Sequence, residues 1–77
     1  MAGIGDVVEH TRTALDAVEV ARRSVRAASD LLAAAVARLE PLLADAPELR
    51  PVVAQYSDAR DVLLAQLDVL DRAVAKL

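Results

Sequence analysis

The sequence predicts an all-α protein: two helices folded back as an antiparallel hairpin, with a coiled-coil-like, alanine-rich seam, dimerising into a four-helix bundle. Three observations predict it. Apolar residues recur at helical spacing through both halves of the chain. Pro41, Pro47 and Pro51 cluster in the middle, where they cannot all lie inside one helix. No Gly or Pro interrupts the chain from Asp6 to Glu40, or after Pro51.

The first helix is expected from about Val7 to Glu40. Asp6-Val7-Val8-Glu9 has the form of a capping box, in which Asp6 accepts a first-turn amide and Glu9 reaches back. The uninterrupted run to Pro41 allows about 34 residues, roughly 50 Å at the rise of an α-helix. A heptad reading is regular over this length. Position a holds Ile4, Thr11, Val18, Val25, Leu32 and Leu39, and position d holds Val7, Ala14, Ala21, Ala28, Ala35 and Leu42. Glu9, Asp16, Arg23 and Asp30 fall on the outward position f. Pairs four apart, such as Arg12/Asp16, Glu19/Arg23 and Arg26/Asp30, support the helix locally. Alanine along d predicts a close approach of the second helix.

The bend is expected over about residues 41–50. Asp45 and Glu48 have capping-box spacing, and Pro47 or Pro51 suits a first turn. The second helix then runs from about 51 to 76. Its stripe is Leu49, Val53, Tyr56, Arg60, Leu63, Leu67, Leu70, Val74 and Leu77, broken only by Arg60. Flanking residues widen both stripes: Val8, Leu15, Ala17, Leu31 and Val36 in the first helix, Val52, Ala59, Val62 and Val69 in the second. Stripes this broad exceed what one two-helix contact covers. If Glu40 faces Pro51, paired residue numbers sum to about 91. Leu77 then lies near Ala14, Arg22 and Arg26 lie level with Asp68 and Asp71, and Val7, Val8 and Thr11 extend past the end of the second helix.

Length and composition bound the rest. The 77 residues make one helical-hairpin domain, 1–77. Hydrophobic residues are 56% of the chain but nearly all Ala, Val and Leu, with one Tyr, no Phe, no Trp and no Cys. So small a chain, with neither disulfide nor thiolate metal site, turns to oligomerisation or tight helix packing. A net charge of −3 argues against nucleic acid as a partner. The longest apolar run, Leu31 to Ala37, is too short to span a membrane. The N-terminus has no basic and apolar leader, so a cytoplasmic protein is expected, with signal-less export as the alternative. Eight Arg against one Lys, with abundant Ala, Val and Asp, suggest a GC-rich, actinobacterial genome.

Candidate chemistry is sparse. His10 and Asp6 share a face, but two ligands fall short of the four of a closed zinc site. Asp58/Asp61 and Asp68/Asp71 read as a solvated face balanced by arginines. Arg22, Arg23 and Arg26 form the one dense basic cluster, without the aromatic partners of a phosphate or base site. Glycine-rich phosphate loops and nucleophile–base sets are missing. No catalytic residue, metal or cofactor is therefore expected. Arg60, a charge within a seam, is expected to pair with an acidic residue of a second chain.

Three resemblances bear on function. The acidic two-helix outline resembles the small exported actinobacterial hairpins that dimerise into four-helix bundles. Their Trp-x-Gly turn is missing, and no residue carries over. The long first helix with Arg12, Arg26, Arg38 and Arg50 is similar to all-α chorismate mutases, which implies a small enzyme. The only Lys, Lys76, is terminal and not in the helical core where that family has one. The Ala-rich amphipathic helices resemble phasin-like granule coats, which implies an amphipathic protein lying on an apolar surface. The expectation drawn from the residues themselves is a non-enzymatic protein–protein interaction or assembly module. Its partner would be a copy of itself or another helical protein. Packing is expected to rest on Val18, Ala21, Val25, Ala28, Leu32, Ala35 and Leu39 against Tyr56, Arg60, Leu63, Leu67 and Leu70.

Overall fold

A computed structural model describes residues 3–76. It is an all-helical hairpin: α1 over Ile4–Leu39, short 3-10 turns over Glu40–Leu42 and Pro47–Leu49, and α2 over Arg50–Lys76, with no strand among the described residues. The hairpin measures 67 × 16 × 14 Å. Its radius of gyration is 18.6 Å, against about 11.5 Å for a compact globule of this length.

α1 begins one turn before the expected start. Gly3, in extended conformation, is the N-cap, and its carbonyl accepts from Asp6 N at 3.1 Å and Val7 N at 3.2 Å. Asp6 is the third helical residue, and its Oδ2 accepts from Gly3 N at 3.3 Å. Gly3 has no side chain to return the bond, so only the acidic half of a capping box forms. Glu9 is exposed in the second turn and caps nothing.

The bend follows from its prolines. Glu40 N–H closes α1 onto the Val36 carbonyl, and Pro41 has no N–H to carry the ladder further. Leu43 N donates to Glu40 O, and Asp45 N and Ala46 N both donate to Leu42 O. The Asp45/Glu48 box does not form either. Ala46 occupies the N-cap before Pro47, no side chain caps that turn, and Leu49 N donates to Ala46 O at 3.1 Å. Pro51 sits in the first turn of α2, where its missing N–H leaves no bond unmade.

The register is the one the charges imply. Ala21 shares a groove with Leu70, Val25 with Gln66, and Ala35 with Tyr56. Arg22 Nε lies 2.7 Å from Asp71 Oδ1 across the hairpin, while Arg22 Nη1 donates to Glu19 Oε2 at 2.9 Å. Nε is shielded from solvent but its N–H does not aim at the carboxylate, so this contact is an ion pair rather than a linear hydrogen bond. Arg26 is exposed and unpaired among the described residues, because Asp68 pairs with Arg72 at 2.9 Å along α2. Of the expected pairs four apart in α1, Glu19/Arg23 forms, at 4.0 Å. The apposition of Leu77 with Ala14 lies outside the described residues.

The seam is shallow. Ser29, at 4% exposure, and Val53, at 9%, are the buried residues among those described. Leu15, Arg22, Ser29 and Val36, one heptad apart, face α2 together with Val18, Val25, Leu32 and Leu39. The contact thus centres on heptad positions a and e. Ala14, Ala21, Ala28 and Ala35 at d are half-buried along its margin. The side chains at e are longer than those at d, so they reach across the seam while the alanines leave open space beside it.

In this register Lys76 lies level with Leu15, so residues 4–14 of α1, about 16 Å of helix, have no counterpart in α2. The excess falls at the N-terminus, where Ile4 is 85% and Val7 64% exposed.

Candidate functional site

Without a core, the notable feature of the molecule is its apolar exterior. Open grooves mark it among the described residues. A groove of about 320 Å³ on the overhanging end of α1 is lined by Val7, Val8, Thr11, Arg12 and Leu15. It continues the seam past the end of α2, at the place the register reserved for it. A second, of about 390 Å³, lies at mid-length between Ala21 and Val25 of α1 and Gln66, Val69 and Leu70 of α2. A third, of about 480 Å³, lies near the bend between Leu31, Ala34, Ala35, Arg38 and Leu39 of α1 and Tyr56 of α2.

The mid-length and bend grooves open on one side of the hairpin. They are lined from positions d, g, c and a of α1, with both helices contributing to each. Along this side no ionisable charge intervenes between Ala14 and Ala35: the sequence reads Ala14, Ala17, Ala21, Ser24, Ala28, Leu31 and Ala35 at spacings of three and four. The facing strip of α2, Ala59, Val62, Gln66, Val69 and Ala73, is also uncharged. Charges collect on the other side, where Asp16, Arg23 and Asp30 are exposed on α1 and Asp58, Asp61 and Asp68 on α2. The Arg22–Asp71 pair lies toward that side. One face of a thin hairpin is therefore apolar over about 30 Å, and the other carries the charge.

Of the packing residues expected from the sequence, Val18, Val25, Leu32, Leu39, Leu63, Leu67 and Leu70 are half-buried toward the seam. Ala21, Ala28 and Ala35 lie at its margin on the apolar face. Tyr56, at 37% exposure, walls the bend groove instead of filling the seam. Arg60 is exposed and has no ion-pair partner among the described residues. Leu31 and Val69, which the heptad reading treats as flanking residues, emerge as the prominent exposed side chains of this face, 73% and 62% exposed. Their signal in the sequence is position: each is a large aliphatic residue one step outside the a/d stripe.

The grooves hold little for chemistry. Their polar linings are one or two groups each: Thr11 with Arg12, Gln66, and Arg38 with Tyr56. His10 is exposed on α1, and no group of three metal-ligating side chains occurs among the described residues. No helix of the described residues is long and apolar enough to cross a membrane. Comparison with known protein families, curated proteins and solved structures found no match to this chain.

Proposed function

We propose that this chain is a non-enzymatic assembly module that works by packing its helices against other helices, most simply those of a second copy, to form a four-helix bundle. The observation that carries this reading is the missing core. The accessible surface is 5883 Å², whereas a compact monomer of 8.2 kDa exposes about 4,500 Å². The difference, roughly 1,300 Å², exceeds the 800 Å² or so that each partner buries in a standard interface, and the exposed side chains include Leu31, Val62 and Val69. A second hairpin laid on the first supplies the missing layer and completes a coiled-coil-like bundle.

The groove linings favour binding over catalysis. Catalysis needs several polar groups converging on one pocket, and each groove here offers one or two. The test is the mass of the purified chain by light scattering over a range of concentrations. A dimer that dissociates only on dilution is expected. A folded monomer at every concentration would refute self-association, and an unfolded chain that folds on adding another helical protein would replace the copy with that protein.

A further inference from the structure

We infer that the uncharged face between the mid-length and bend grooves is the surface on which a second copy docks, with the two-fold axis passing at Ala28 and the two bends at opposite ends. This inference rests on the self-association reading and specifies its geometry. Ala21 lines the mid-length groove and Ala35 the bend groove. Each is seven residues, two helical turns or about 10.5 Å, from Ala28. A two-fold axis at Ala28 therefore exchanges the grooves: the mid-length groove of one copy lies over the bend groove of the other.

The exposed side chains fit that exchange. Leu31, 73% exposed, stands on the bend side of Ala28 and meets the partner copy at the level of its mid-length groove. Val69, 62% exposed, stands level with Ala21 and Val25, and it meets the bend groove of the other copy, walled by Tyr56. Two projections then find two recesses under one symmetry operation, as an isologous interface requires. With both bends at one end, Leu31 would come level with Arg60 at the rim of the partner's bend groove, and each groove would lie over its own counterpart instead of the other groove.

Area and charge favour a copy as the occupant. The roughly 1,300 Å² surplus of surface is enough for a standard interface on each protomer. The face carries no charge between Ala14 and Ala35, with Arg38 at its bend end, and it has no acidic side chain there, while Asp16, Asp30, Asp58, Asp61 and Asp68 are exposed on the opposite side. Face-to-face copies hold those charges apart, on the outside of the bundle. Ala28 at the axis lets the two α1 helices approach to the short end of the usual 8–10 Å range.

Single-cysteine cross-linking of the full chain tests the geometry, since the protein has no cysteine of its own. Diamide takes up the two thiol hydrogens as the disulfide forms. Ala28→Cys should yield a covalent dimer at least tenfold faster than Arg23→Cys, on the charged face. Ala21→Cys and Ala35→Cys should each resist cross-linking alone and cross-link when mixed. Equal rates for Ala28→Cys and Arg23→Cys, in a chain that light scattering shows to be dimeric, would overturn the docking face and leave the assembly reading standing. A monomeric chain would overturn both.

Discussion

Replacing Leu31 with Ala separates the fold of the hairpin from its assembly. The substitution removes three carbons, worth about 2.4 kcal/mol on full burial at about 0.8 kcal/mol each. Leu31 is 73% exposed in the hairpin, so about 0.6 kcal/mol of that is already realised within one chain and about 1.8 kcal/mol is left to be gained on docking. Each dimer contains two copies of the site, which gives about 3.5 kcal/mol, or a dissociation constant raised about 300-fold. Sedimentation equilibrium on wild type and Leu31→Ala measures this directly. Circular dichroism at a dilution where both are monomeric should show helix content and melting nearly unchanged. A dissociation constant within threefold of wild type would refute the reasoning, because Leu31 would then be as exposed in the assembly as in the single chain. An equal loss of stability in the dilute monomer would refute it too, by placing the side chain in the hairpin's own seam.

Further outcomes follow from the hairpin itself. Asp71→Ala should cost about 0.5 kcal/mol, as exposed ion pairs do, and the difference from wild type should shrink in about 1 M salt; a loss that is unchanged by salt in denaturant titrations would show that Arg22 is held by packing rather than charge. Amides of α1 from Val7 to Thr13 should exchange with deuterium well before those from Val18 to Val36, since no second helix covers the overhang; uniform protection along α1 would mean that the end groove is occupied.

The heptad stripes, the proline cluster and the charge pairs made the hairpin and its register legible without coordinates. Arg22 meets Asp71 because helices joined by a short bend have little choice of register, and the excess length of α1 follows by subtraction. The helix start was less legible. Asp6 with Glu9 and Gly3 with Asp6 both have capping spacing, and the backbone of Gly3 decided between them by taking the extended conformation. The face that meets α2 differs from the one the sequence indicated. Periodicity pointed to a and d, because e carries Arg22 and Ser29; the buried Ser29 and the Arg22–Asp71 pair are what turn a and e inward.

By itself the sequence determined that this chain forms two amphipathic helices, where they reverse, and that their apolar stripes are too wide for one another. Helical periodicity and proline chemistry are local, so they can be read from residues a few positions apart. Only the tertiary structure decided that a and e form the seam, that the alanines at d are left on an outer face, and that Tyr56 and Arg60 lie outside the hairpin's own seam. Those are choices of rotation about the helix axes. Rotation is set by how side chains such as Leu15, Val36 and Arg22 fill the space between two particular helices, and that is a property of the pair.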